Sequence, residues 1–301
     1  MFHFGHEVFF EVASQLSFSK AADNLFISQP AVSKHIKLLE EQYQLSLFER
    51  KGNNIALTEE GNLLLEYDKK VKELERQLDF EITASGNKKK ARGSLIIGAS
   101  TTVALYVIPK ILSLFHQRYP HIHLRLVNRN SENILKALLE HEIDFGIIEG
   151  KNKITTVRYQ FFLADEVIPV CSAKSKLSKR KKISVTELKD IPVALRERGS
   201  GTRAALVEAL ARCGLKPGDL NTKIILGGTE ALKNFLLDDT CLGFLPLRSV
   251  VRQLSTGELV RLQIPDLSIT REFYFVQRQG SVNDKINNLF IKLAQQYNEK
   301  L

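Results

Sequence analysis

The spacing of apolar positions changes character along the chain. Up to about residue 92 the text is helical. Val8, Phe9, Val12, Ala13 and Leu16 share one face of a first helix, and Ser17 or Ser19 can cap a second that carries Ala21, Ala22 and Leu25. A short turn through Phe26 and Ile27 reaches Ser28, a good N-cap, with Pro30 in the first turn of a third helix, where a missing N–H is harmless. That helix buries Val32, Ile36 and Leu39 and turns Gln29, Ser33, Lys34 and Lys37 outward, with His35 flanking. From residue 58 to about 84, Leu64, Tyr67, Val71, Leu74, Leu78 and Ile82 recur in a near-heptad seam, on a rod about 40 Å long at ~1.5 Å per residue. The spacing predicts a dimerising helix, the alternative being a helix packed on its own domain.

Beyond residue 93, short apolar runs alternate with helix-period segments: 94–99, 102–118, 123–127, 132–141 and 145–148, then 167–171, 202–213, 223–226, 230–237 and 242–245. Such alternation predicts βαβ units and a mostly parallel sheet, either as one large domain or as two lobes sharing crossover strands. Two polar clusters punctuate the text, at 50–54 and at 85–93, the second reading as a linker. Crossovers between lobes are expected near 163–173 and 265–277.

Composition narrows the function classes. With 44% hydrophobic and 26% charged residues the chain is ordinary globular text. There is no run of 18 apolar residues, and residues 1–10 carry Glu7 without a basic segment ahead of an apolar stretch, so neither a membrane span nor a signal peptide is indicated. A cytoplasmic protein without a membrane partner is expected. Cys171, Cys213 and Cys241 are odd in number and far apart, which predicts reduced structural thiols and no metal site. No catalytic residues are expected, since Gly-x-Ser-x-Gly, His-Glu-x-x-His and Walker patterns are all missing. The formal net charge is +9, yet residues 1–92 hold 13 basic against 14 acidic side chains and residues 93–301 hold 30 against 20. Any nucleic-acid argument must therefore rest on local placement of charge. Such placement exists from Asn24 to Leu39, an interval without acids.

The third helix carries the chemistry of a recognition helix. Gln29 can pair with adenine N6 and N7, Ser33 with either base type, and Lys34 and Lys37 with phosphates. Three amphipathic helices of any all-α domain would look the same, and geometry alone leaves both readings open. The residues Ala21-Ala22, Leu25, Ser28-Gln29-Pro30-Ala31-Val32-Ser33, Ile36, Leu39-Glu40, Leu47-Phe48, Arg50 and Leu57-Thr58-Glu59-Glu60-Gly61 resemble the N-terminal signature of LysR-type transcriptional regulators, at that family's spacing. The resemblance extends over essentially the whole chain. It implies an α/β protein: an N-terminal winged helix-turn-helix over 1–61, a long linker helix and hinge over 62–92 that dimerises it, and a two-lobed effector-binding domain over 93–301 folded like periplasmic solute-binding proteins. Lobe one would take 93–163 and 269–301, lobe two 164–268. DNA contacts are then expected from Ser28, Gln29, Pro30, Ser33, Lys34, His35 and Lys37, and from Arg50 and Lys51 in the wing. His35 departs from the family's usual Arg or Gln, Gln44 replaces a frequent glycine, and Gly52-Asn53-Asn54 stand where further arginines are common.

Three stretches of the α/β region have the physics of an anion site: Ser100-Thr101-Thr102, the loop Arg196-Glu197-Arg198-Gly199-Ser200-Gly201-Thr202-Arg203, and Gly227-Gly228-Thr229, each leading from a strand into a helix N-terminus. Each could equally be an ordinary capped turn. The resemblance implies that an effector binds between the lobes against residues matching Ser100, Thr102 and Thr202, and the Gly-Ser-Gly-Thr-Arg run resembles that of regulators of sulfur assimilation and carbon fixation, whose effectors are small anions or metabolites. Glu149, beside the expected crevice, would repel an anion unless an arginine pairs with it. Asp144 is expected to hold the turn into a central strand. The functional expectation is a sequence-specific DNA-binding regulator that needs no cofactor and is controlled by a small, anionic effector. Its expected partners are double-stranded DNA, a second copy in a dimer or tetramer, and RNA polymerase. The competing readings are a solute-binding protein without a transcriptional role, and an enzyme.

Overall fold

The computed structural model describes residues 3–52, 54–84, 91–150, 154–180, 182–279 and 284–298. The linker expected at 85–93 lies largely outside them, as do Asn53 of the wing and Lys181. The chain divides into two compact units, Met1–Asn87 and Lys88–Leu301.

In the first unit, α1 (Phe4–Gln15), α2 (Phe18–Leu25) and α3 (Gln29–Tyr43) precede a hairpin of β1 (Phe48–Lys51) and β2 (Asn54–Leu57), then α4 (Glu59–Ala84). Each boundary has a local cause. The hydroxyl of Ser17 accepts from Lys20 N and that of Ser28 from Ala31 N, capping α2 and α3. Val8, Phe9, Val12, Ala21, Ala22, Val32, Ile36, Leu39 and Leu47 form one core, on which Leu64 and Leu65 of α4 also pack. Glu40 of α3 accepts from Leu47 N at 2.7 Å, fixing the start of the hairpin. Thr58 caps α4: its hydroxyl accepts from Gly61 N at 2.9 Å and donates to Ser46 O at 2.8 Å. A Cβ on Gly61 would collide with Leu47 O, so the Leu-Thr-x-x-Gly run is a packing requirement. At 26 residues α4 extends about 39 Å.

The second unit carries one nine-stranded mixed sheet in the order β4-β3-β5-β11-β6-β9-β7-β8, with β10 on β6. Lobe one contains β3 (Gly93–Ser100), α5 (Thr101–Tyr106), α6 (Ile108–Arg118), β4 (Ile122–Arg129), α7 (Ser131–Leu139), β5 (Phe145–Glu149) and, at the end of the chain, α11 (Lys285–Asn298). Lobe two contains β7 (Val193–Arg196), α8 (Gly201–Arg212), β8 (Thr222–Leu226), α9 (Thr229–Asp238), β9 (Leu242–Pro246), α10 (Leu247–Thr256) and β10 (Leu259–Arg261). Two long neighbours, β6 (Val157–Ser172) and β11 (Ile269–Arg278), run antiparallel through both lobes. The first half of β6 pairs only with β11, while its last residues pair with β9 and β10.

The sheet is less parallel than expected. Within the lobes β3 is parallel to β4 and β5, and β7 to β8 and β9, but every pairing made by β6 or β11 is antiparallel, because the two crossovers traverse the molecule in opposite directions. In lobe one, Ile134, Leu138, Ile143 and Ile148 pack on one face of the sheet, and Phe115, Phe145, Phe275 and Phe290 make an aromatic cluster. Two apolar clusters of lobe two contain Leu188, Leu206, Leu210 and Phe244, and Leu232, Leu236, Leu245 and Val250. Asp144 Oδ2 accepts from Ile96 N at 2.6 Å while its own N–H donates to Ile96 O, which holds the turn into β5.

Candidate functional site

The first unit presents a polar, cationic surface at the start of α3. Ser28, Gln29, Pro30, Ser33, Lys34 and Lys37 are exposed, as are Arg50 and Lys51 at the tip of the hairpin. Lys37 lies 3.6 Å from Glu41 and Lys51 2.9 Å from Glu49, both pairs open to solvent. His35 is half-buried, with its ring edge-on to Phe4 at 5.0 Å between centroids. Phe26, in the turn before α3, is 94% exposed.

In the second unit, the first two anion-type stretches are brought together by a side chain that the sequence pattern does not single out. Arg271, on β11, is 5% exposed. Its Nη1 lies 2.8 Å from Glu149 Oε1, at the end of β5 in lobe one, and donates at 2.8 Å to Thr202 Oγ1 in the first turn of α8, lobe two. Its Nε and Nη2 donate to Asp165 Oδ2 on β6, whose other oxygen takes Arg248 Nε at 3.1 Å. Ser100 Oγ donates to Glu149 Oε1 at 3.3 Å. The Glu149 side chain is 5% exposed and lies so close to α8 that a Cβ on Gly201 would collide with its carboxylate. Glu132 N donates to Gly199 O at 3.3 Å, a second direct bond between lobes.

The third stretch is held separately. Arg196, at the end of β7, donates to Thr229 Oγ1 at 2.7 Å and clasps Glu197 through Nε and Nη2. Burial opposes ionisation of Glu197, but the guanidinium and Gly228 N–H outweigh it and hold the carboxyl below its ordinary range. No bond links Thr229 directly to Ser100 or Glu149 among the described residues. Its helix nevertheless meets lobe one, where Lys233 Nζ donates to Tyr106 OH at 3.2 Å.

Capping distinguishes this region from the rest of the chain. Helices α1, α2, α3 and α7 all begin on a side chain that accepts from their first turn. The starts of α5, α8 and α9, at Ser100, Ser200 and Gly228, have no side-chain cap. Helices α6 and α10 are also uncapped, but carry proline in the first turn or at the N-cap. Thr102 Oγ1 and Ser200 Oγ are buried and make no hydrogen bond. Thr101 is half-buried and Arg198 exposed. Arg198 joins Ser131, Glu149, Gly201 and Arg203 around an open cavity of about 620 Å³, adjoined by another of about 470 Å³ that Glu149, Gly201 and Arg271 also line. The arrangement offers the uncompensated hydroxyl of Ser200 and the start of α8 in a crevice whose buried Arg271 is already paired with carboxylates, while Thr102 lies buried at the start of α5.

Comparison with known proteins agrees with this geometry. A family model for the bacterial regulatory helix-turn-helix protein, lysR family, matches residues 6–62, and one for the LysR substrate binding domain matches residues 88–299. The HTH-type transcriptional regulator CysL of Bacillus subtilis is 31% identical over 288 residues, covering 95% of this chain and 94% of that one. The regulatory domain of CcmR from Synechocystis PCC6803, solved in complex with 2-PG, is 26% identical with a TM-score of 0.61, covering 68% of this chain and 96% of that one. Full-length CbnR, solved with its target DNA, shares the fold with a TM-score of 0.68 at 17% identity, over 98% and 99% of the two chains. The chain is therefore a member of the LysR family of transcriptional regulators, with a helix-turn-helix domain for DNA and an α/β effector-binding domain.

Proposed function

We propose that this regulator is controlled by a small anionic effector that binds between the lobes against the first turn of α8, with Thr102 and Ser200 as hydroxyl donors. The observation that carries the reading is the pair of buried, unpartnered hydroxyls at Thr102 and Ser200, each at a helix start left without a side-chain cap, α5 for the first and α8 for the second. A buried polar group without a partner costs about 1–3 kcal/mol, and a ligand that supplies acceptors recovers it. Helix N-termini favour negative charge for the same electrostatic reason. The CcmR domain solved with 2-PG supports a small ligand in this fold.

On the DNA side, Gln29 and Ser33 read base edges while Lys34, Lys37, Arg50 and Lys51 hold phosphates. The chain acts in the cytoplasm as a dimer, or a dimer of dimers, through α4 and contacts a dyad-symmetric operator and RNA polymerase. Effector binding shifts the population between two arrangements of the lobes, which requires different affinity for each.

Thermal-shift screening of the full chain with sulfite, sulfate, phosphate, 2-PG and short carboxylates tests the effector reading. At a hundredfold excess over Kd, binding contributes ~2.7 kcal/mol, which raises Tm by about 5 °C or more for at least one compound. Thr102→Ala should remove most of that rise. A wild-type Tm that no anion moves would refute it.

A further inference from the structure

The crevice already contains an anion of its own. Glu149 Oε1 receives Arg271 and Ser100, and its carboxylate rests on Gly201 at the uncapped start of α8. An arginine, a hydroxyl and a helix N-terminus are the partners an external oxyanion would seek. Asp165 occupies the remaining face of Arg271, so this guanidinium has no charge left to offer a ligand. An oxyanion seated there would lie a few ångströms from the Glu149 carboxylate, and like charges at that distance repel.

We infer that Glu149 is the residue that sets effector selectivity: as a built-in carboxylate it holds the crevice against bare inorganic oxyanions such as sulfate, which bring only charge and acceptors, and leaves it to an organic anion that also carries a hydroxyl or amine to donate to the carboxylate. The inference rests on the placement of the effector site proposed above. It accounts for two features together. Gly201 must be glycine because the carboxylate lies where a side chain would start, and Glu149 is nearly buried although it carries charge, because Arg271 compensates it. An arginine recruited only to bind a ligand would not be saturated by two protein carboxylates.

The test is calorimetric titration of the full-length protein with sodium sulfate, comparing wild type, Glu149→Gln and the double variant Glu149→Gln/Thr102→Ala. The glutamine keeps the size and a hydrogen bond but removes the charge, and it should bind sulfate at least tenfold more tightly than wild type. The double variant should lose that gain, which places the sulfate in the crevice. Should Glu149→Gln not fold, as judged by circular dichroism and DNA binding, Glu149→Thr takes its place with the same expectation. Sulfate affinities of wild type and charge-free variant within threefold of each other would overturn the inference, as would a gain that survives Thr102→Ala or no sulfate binding by either protein. These results are distinguishable from failure of the underlying reading, which is decided by the wild-type response to the organic anions in the thermal screen.

Discussion

Three helices of the DNA-binding unit end on residues other than glycine held in the left-handed region: Leu16 at φ 46°, Phe26 at φ 55° and Gln44 at φ 55°. At Gln44 the end of α3 is closed by Leu45 N donating to Glu40 O and Gln44 N donating to Glu41 O, a Schellman arrangement that needs this backbone whatever the side chain. The family resemblance marks position 44 as a frequent glycine, and the backbone supplies the reason. An L side chain there costs about 1–2 kcal/mol, partly offset by the greater entropy glycine loses on folding. Gln44→Gly should raise stability by roughly 0.5–1 kcal/mol in urea denaturation, leaving DNA affinity unchanged because the exposed Gln44 caps the end of α3 remote from Gln29. Residues whose work is local are thus legible in sequence, Ser17 and Ser28 as caps, while Asp144 is read from its place in a short turn although its partner Ile96 lies 48 residues away. Arg271 and Asp165 are not, because their partners lie more than sixty residues away along the chain. One signal exists: at the start of β11, Ile269, Arg271 and Phe273 are buried in alternation with exposed Thr270 and Glu272, and a lone arginine on an apolar face demands a buried counter-charge.

At the scale of elements, α4 shows a stripe that its own unit does not cover. Leu63, Tyr67, Leu74, Leu78 and Ile82 are each 57–63% exposed, with Val71 at 40%, spaced in steps of three and four along one face. The seam expected from the sequence begins at Leu64, but that side chain packs on the helix-turn-helix core, and Leu63 takes its place in the stripe. A long row of exposed apolar side chains at heptad spacing is expected to be covered by a second copy. Leu74→Glu with Leu78→Glu should shift the full-length protein to monomer in sedimentation velocity and weaken operator binding at least tenfold, while the circular-dichroism spectrum stays helical. A variant that sediments as wild type would remove α4 from the interface. Periodicity makes this helix readable because its apolar positions are set by one partner surface. Strand β6 is legible only from 167 to 171, because Arg158, Gln160, Asp165 and Glu166 interrupt its first half. Those residues serve the strand's exposed face and its ion pairs, so the alternation is visible only once β11 is known to lie alongside.

For the whole molecule, charge is distributed against intuition: the residues before 93 are close to neutral, while the effector-binding part carries the surplus. If DNA is held only through the helix-turn-helix contacts proposed above, the operator complex of a dimer engages Lys34, Lys37, Arg50 and Lys51 from each copy, two of which also face a glutamate. Each neutralised phosphate contributes ~0.9 to the slope of log K against log salt, so a dimer should show a slope between about −4 and −7. Lys34→Gln should flatten it by about 2, one phosphate per copy, without changing preference among sequences. Gln29→Ala should leave the slope alone and reduce discrimination against altered half-sites by ~1–3 kcal/mol for each base that Gln29 reads. Fluorescence anisotropy with the DNA upstream of its own gene, from about 50 to 300 mM salt, separates these effects. With one dimer bound per operator, as sedimentation of the complex would establish, a slope steeper than about −9 would mean that basic residues of the effector domain also touch the duplex. Effector control would then act through direct DNA contacts as well as through the arrangement of the lobes.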